Sequence, residues 1–281
     1  MKVPYNYLPM EFRKSNKILS HWKKLIQSTD FTLGKYMVEF EKKFSKYLRV
    51  KYSVGVSNGT DAIILALQAI NIKKGDEVIT TSHTAFATIA AIVDVGAIPV
   101  FIDIKEDDFT IDTTQIEKKI SKKTKVIIAV HIYGNPVDIK ELIRIKKKHK
   151  VTLIEDCAQA LGSKIKDKYV GTFGDMSIFS FQQQKNMTTL GEGGMLIVNN
   201  KKYQKYILGL RHNGHRPYPN KTHYWLPAMV NVYEDLEGVT PFNFPMTEIQ
   251  ACVGFHLLDR VKNLNNMRNE RAKKIIDSLK E

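Results

Sequence analysis

Between about residue 50 and residue 200, short apolar runs alternate with stretches of helical periodicity. That alternation predicts an α/β sheet with helices on its faces. Tyr52–Val56, Glu77–Thr81, Val100–Ile104, Val126–Ile132 and Val151–Ile154 read as strands, most of them rich in β-branched residues. Thr60–Ile70 is apolar on most sides and reads as a buried helix, and a second helix runs through Ala85–Val95. Met176–Phe181 and Met195–Val198 flank a polar, glycine-bearing loop like the two arms of a hairpin. No repeat or low-complexity linker interrupts the pattern.

After Lys205 the pattern changes. Arg216–Gly238 is rich in Pro, Asn, Tyr and Trp, has no clear period, and reads as a long irregular segment of the kind that is usually functional or disordered. Met246-Thr-Glu-Ile-Gln-Ala-Cys252 then opens a long helix running to the end of the chain, with Thr247 as its N-cap. The apolar face of that helix has nothing downstream to pack against.

Composition narrows the class. At 281 residues, 43% hydrophobic and 10% aromatic, the chain suits a soluble globular protein of one large domain, or one domain and part of another. No apolar run approaches the roughly 20 residues that cross a bilayer, and the first residues lack the apolar core of a signal peptide. Cys157 and Cys252 are the only cysteines, which excludes a disulfide framework and fits a reducing cytoplasm. The net charge of +14 fits either an anionic ligand or lysines spread over solvated helix faces. Its densest run, Arg144-Ile-Lys-Lys-Lys-His-Lys150, falls late in an amphipathic stretch (Ile139, Leu142, Ile143), where cations complement a helix dipole. Neither zinc-finger spacing nor an aromatic RNA-binding signature accompanies the charge, so nucleic acid is not an expected partner.

Three short segments carry candidate chemistry. Ser57-Asn58-Gly59-Thr60-Asp61 lies between a strand and a helix, where glycine admits a close approach and free N–H groups attract phosphate; a plain N-cap and turn is the alternative. Asp156 closes the apolar run Val151-Thr-Leu-Ile-Glu-Asp156, at the strand end where α/β sheets hold ligands. An acid buried there needs a partner, and a pyridinium would serve; capping the next helix is the alternative. Gln159, three residues on, could reach a phenolic oxygen of the same ligand. Lys185 stands in Ser180-Phe-Gln-Gln-Gln-Lys185-Asn186, just before Gly191-Glu-Gly-Gly194. A lone lysine is by default a surface residue, but one set between two buried strands beside clustered glycines can be desolvated and nucleophilic. A lysine amine and a strand-end carboxylate are the minimum equipment for pyridoxal phosphate (PLP) chemistry.

These segments resemble the sugar-nucleotide aminotransferases of the DegT/DnrJ/StrS type. The resemblance extends over nearly the whole chain: Phe31-Thr-Leu-Gly34, Val56 to Asp61, Gly75-Asp-Glu-Val-Ile79, Gly96 to Asp103, His131-Ile-Tyr-Gly134, Glu155 to Ala160, Gly171-Thr-Phe-Gly-Asp175, Ser180 to Lys185 and Met246 to Ala251. It implies a fold-type I PLP-transferase large domain, a mostly parallel sheet flanked by helices, over residues 1–245. Residues 246–281 would then be the first helix of an incomplete C-terminal small domain, since family members typically continue well beyond this point. It further implies that Lys185 forms the Schiff base and moves protons, Asp156 pairs with the pyridine nitrogen, and Gln159 meets the phenolic oxygen. Gly59, Thr60 and Ser180 would hold the phosphate. Asn243, in Phe242-Asn-Phe-Pro-Met246, matches an asparagine that reaches the neighbouring subunit's cofactor, so the expected assembly is a homodimer with shared active sites. The implied reaction is amino transfer, usually from glutamate, to a nucleotide-diphosphate keto-sugar; the alternative is a non-catalytic regulatory or sugar-nucleotide-binding protein of the same fold.

The chain departs from the family pattern in places. Ala85 stands where the family has an aromatic that stacks on the cofactor, which leaves His83, ahead of Phe86, as the expected stacking face. Pro245 replaces a common arginine, and Arg211-His-Asn-Gly214 shuffles a familiar motif. Relatives that dehydrate their substrate carry histidine at the lysine position, so Lys185 points to the transaminating branch.

Overall fold

The structure, a computed structural model, describes residues 8–215, 236 and 239–279. Apart from Leu236, the irregular segment expected over Arg216–Gly238 lies outside them, as do the first seven residues. Three helices lead in: α1 (Leu8–Glu11), α2 (Asn16–Ser28) and α3 (Lys35–Leu48). Alternation then follows in the predicted order: β1 (Ser53–Val56), α4 (Gly59–Ala69), β2 (Glu77–Thr81), α5 (Phe86–Asp94), β3 (Ile98–Ile102), α6 (Thr113–Lys119), β4 (Thr124–Val130), α7 (Ile139–His149) and β5 (Thr152–Asp156). A two-stranded ribbon, β6 (Lys164–Ile165) and β7 (Lys168–Tyr169), precedes β8 (Met176–Ser180), β9 (Gly194–Val198) and α8 (Gln204–Arg211). The chain closes with α9 (Glu248–Leu257) and α10 (Val261–Ser278).

Seven strands form one sheet in the order β1-β9-β8-β5-β4-β2-β3. Pairings from β3 through β8 are parallel, and β9 runs antiparallel to both β8 and β1. β8 and β9 pair as the expected hairpin, Met176 opposite Val198 and Ser180 opposite Gly194. The register places the C-terminal ends of β5 and β8 side by side, Asp156 opposite Ile178.

Helices cover both faces, because strands apolar on both sides must be buried on both. One face packs on α4 and α5, with Ile154, Ile178 and Leu196 meeting Ala62–Leu67, all buried. On the other face Ile127, Ala129 and Leu153 pack on Leu142 and Ile145 of α7. Phe179, Phe181 and Ile197 pack there on Phe40 and Phe44 of α3 and Val253 of α9. The basic run Lys146–His149 ends α7, as its dipole favours, and Lys148 and His149 both pair with Glu117.

Thr247 caps α9 in a reciprocal capping box with Gln250. The long helix expected from Met246 onward is broken: a 3₁₀ turn at Leu258–Arg260 separates α9 from α10. α9 is largely buried and its Glu248 accepts from the N–H groups of Tyr36 and Met37 at the start of α3. In α10 Val261 alone is buried. No helix among the described residues is long and apolar enough to cross a membrane.

Candidate functional site

A cavity of about 610 Å³ opens at the C-terminal ends of β5 and β8, between the N-terminus of α4 and the loop after β8. This is where a parallel sheet leaves a crevice, because its strands end there while the connecting loops splay to opposite faces. Lys185, Asp156, Gly59, Thr60 and Ser180 all line it.

The N-terminus of α4 forms one wall. Asn58 caps the helix by accepting from Asp61 N–H at 2.8 Å, and the first intrahelical bond is Ala62 N–H to the Asn58 carbonyl. The Gly59 and Thr60 N–H groups precede that bond, so they face the cavity with the positive end of the helix dipole. Ser180 ends β8 against this turn: a β-carbon on Gly59 would lie 3.0 Å from the Ser180 β-carbon. Gly194, opening β9, is pressed on the Asn58 carbonyl, where a β-carbon would overlap it. Two glycines thus bring the helix turn, Ser180 and β9 together around a cup for an anion.

Asp156 forms the floor. Its carboxylate is buried, 4% exposed, and accepts from Thr88 Oγ1 and Ala158 N–H, each at 3.0 Å. Burial pushes its carboxyl above the ordinary aspartate range, while these two bonds and the Lys185 charge pull it back in part. Among the described residues no cation lies within ion-pair distance of it. Lys185 sits in the turn after β8, its N–H bonded to the Gln182 carbonyl, and is half-buried.

A match to the DegT/DnrJ/EryC1/StrS aminotransferase family covers residues 13–281. The chain belongs to that family. The GDP-perosamine synthase of Escherichia coli O157:H7 is 40% identical to it over 252 residues, 88% of this chain and 64% of the relative. The chain therefore spans less than two thirds of the length of that relative. The S. venezuelae DesV protein, solved in complex with a ketimine intermediate, superposes with a TM-score of 0.88 at 28% identity, over 99% of this chain and 71% of that one. The ntda protein of Bacillus subtilis with bound cofactor PMP superposes at 0.78 and 28% identity, over 96% and 62%. The architecture is that of fold-type I PLP aminotransferases.

Three of the family-matched positions stand outside the cavity lining. Gln159 Oε1 accepts from Tyr133 N–H at 2.8 Å. His83 lies against Tyr133, whose hydroxyl is 3.1 Å from His83 Nε2, and near Phe109. Ala85 lines the cavity and Phe86 is 83% exposed, so no aromatic ring from this segment closes it. Asn243 is exposed and bridges His212 in an antiparallel pair.

Sequence reasoning missed Thr88, the side-chain donor that orients Asp156. The available signal was a hydroxyl at a buried position in the otherwise apolar Ala87-Thr88-Ile89-Ala90-Ala91 turn of α5. Sequence reasoning named Asp61 within the Ser57–Asp61 segment without a role; Asp61 lines the cavity and accepts from the Ser57 hydroxyl and from Asn58 Nδ2.

Proposed function

We propose that this chain carries the cofactor-binding part of a PLP-dependent aminotransferase acting on a nucleotide-linked keto-sugar, with glutamate as amino donor. The observation that carries the proposal is one cavity lined by Lys185, Asp156 and the α4 anion cup. The residues present fit PLP. Among the described residues the buried Asp156 carboxylate has no cation within ion-pair distance, and a protonated pyridine nitrogen would provide one. The Gly59 and Thr60 N–H groups with the Ser180 hydroxyl suit a phosphate, and the close contact at Gly59 would make a side chain there tight against Ser180. PLP, when bound, supplies an electron sink for the carbon that loses or gains a proton.

The remaining work falls to the chain. Asp156, held by Thr88 and Ala158, keeps the ring nitrogen protonated. Lys185 Nζ would hold the cofactor and would serve as the base that moves a proton at the reacting carbon, its position fixed by the turn after β8. Gln159 and His83, both in contact with Tyr133, are the residues we assign to the phenolic oxygen and to the ring face respectively. Asn243 is exposed, as a contact with a neighbouring subunit's cofactor would require, and we read the assembly as a homodimer with shared sites. A cytoplasmic protein is consistent with two free, buried cysteines.

The similarity to the GDP-perosamine synthase supports a nucleoside-diphosphate sugar as substrate. Among the described residues α9 packs into the core of the large domain while α10 buries only Val261, so we read the large domain as extending through α9 and a small domain as beginning with α10, rather than at 245/246. Incubation with PLP followed by borohydride reduction should attach one cofactor per chain, at Lys185 by peptide mapping, and glutamate added beforehand should reduce the yield. A protein that takes up no PLP, or takes it up at scattered lysines, would sink the proposal.

A further inference from the structure

Away from the cavity, three metal-binding side chains converge where α2 meets α9. Cys252 and His256 are four residues apart on α9 and so share a face of that helix, while His21 approaches from α2. One ligand atom from each lies within 4.8 Å of the other two. His256 Nε2 and His21 Nδ1 are 2.9 Å apart, and the ring centroids are 4.8 Å apart at an interplanar angle of 49°. A contact that short needs a lone pair on one nitrogen and at most one proton between them, so the rings are not both imidazolium. Cys252 is fully buried and the imidazoles are partly exposed, which leaves a path from solvent.

A second trio, His131, Glu155 and Cys157, is equally close but already engaged. His131 Nε2 faces Glu155 and its Nδ1 accepts from Val137 N–H, while Glu155 takes three backbone N–H groups besides. In the α2–α9 trio, among the described residues, the facing imidazole nitrogens are bonded to each other alone.

We propose that His21, Cys252 and His256 form a site for a borderline-soft divalent cation of the zinc type, bound through two imidazole nitrogens and a thiolate with a further position open. Two nitrogens and a sulfur suit zinc and reject magnesium or calcium, which take oxygen ligands. Bonds of about 2.0–2.3 Å set donors roughly 3.3–3.7 Å apart around a tetrahedral ion, so the imidazole contact opens by a few tenths of an ångström. The thiol proton leaves to solvent as the ion binds, and the proton shared by the rings moves to an outer ring nitrogen; one proton is released per ion. Lys17, Lys24, Lys35 and Lys43 surround the rings and oppose a dication. The thiolate offsets one of its charges, and Asp259 and Glu248 face the trio with the opposite sign.

An ion here would clip α2 to α9. The first turn of α9 also holds the loop before β9, since Gln250 Nε2 donates to the Glu192 carbonyl at 2.9 Å, and Glu192 lines the cavity. The site itself is independent of the aminotransferase reading.

Protein freed of metal by chelation and then loaded with Zn²⁺ should retain one equivalent per chain through gel filtration and melt at a higher temperature. Cobalt(II) in its place should give a thiolate-to-metal charge-transfer band. His21→Ala and His256→Ala should each weaken zinc binding by at least about 100-fold, and Cys252→Ser should remove the band. Because Cys252 is buried, the partly exposed His21→Ala, which leaves the core intact, is the decisive variant. Lys185→Ala should leave binding unchanged, separating this ion from any held in the cavity. No retained zinc, equal affinity in His21→Ala, or a cobalt spectrum without sulfur ligation would overturn the proposal.

Discussion

Glu155 and Asp156 are neighbours on β5, both buried, and the pleat sends them to opposite faces of the sheet. On one face the chain answers Glu155 completely: Gly171, Phe173 and Gly174 N–H groups at 2.6–2.8 Å and His131 Nε2 at 3.1 Å occupy its four acceptor positions. Burial pushes its carboxyl up, but His131 and these backbone donors more than offset that and hold it below the usual range. On the other face Asp156 receives two donors at 3.0 Å, and burial leaves its carboxyl above the usual range. The pair teaches that burial alone does not mark a functional acid. A buried charge saturated by its own chain is structural; one left short of partners beside a cavity is a receptor for something else.

The largest effect is expected at the far side of that receptor. Lys185→Ala should lower transamination by about 10³-fold or more while the far-ultraviolet circular dichroism stays unchanged; retained turnover would mean the lysine is misassigned. Glu155→Gln puts an amide N–H where a backbone donor or His131 now bonds. It should cost about 3–5 kcal/mol of stability, read from urea unfolding. Asp156→Asn should do the reverse, leaving stability within about 1 kcal/mol or raising it while weakening PLP retention by roughly 10–100-fold. Equal loss of stability in both variants would erase the distinction between the two acids.

Acidification separates them further. Glu155, with its pKa depressed by folding, contributes stability that is full above its unfolded value near 4.5 and is lost as pH falls through the folded value. Asp156, with its pKa raised, acts in the opposite sense: its cost to the cofactor-free fold grows as pH rises from 3.8 through the folded value. Unfolding midpoints against pH should therefore show a shallower acid loss in Glu155→Gln and a steeper one in Asp156→Asn. The smallest effect is expected at the N-terminal turn of α4, the proposed phosphate site. Gly59→Ala sets a methyl 3.0 Å from the Ser180 β-carbon and should weaken PLP binding about tenfold, equivalent to about 1.4 kcal/mol, seen by equilibrium titration.

Most of the fold was legible because its signals are local. β-Branched runs mark the strands, the Thr247/Gln250 capping box marks the start of α9, and the apolar Ala62–Leu67 stretch marks a helix buried on every side. The helix break at Leu258–Arg260 was not legible, since the periodicity of α9 runs on into α10 and only packing separates the buried helix from the exposed one.

For the candidate site, sequence supplied Lys185, Asp156, Gly59, Thr60 and Ser180 as types suited to one chemistry, and the tertiary structure set all five around one cavity. It left His83 and Gln159 against Tyr133, outside the lining, and added Thr88 from α5. Chain order alone determined which residues could bear the chemistry, because side-chain type and local spacing are properties of the sequence. Which of them meet was decided by sheet register and by the α4 and α5 crossovers, which bring together Thr88, Asp156 and Lys185, groups too far apart in the chain for any local pattern to relate.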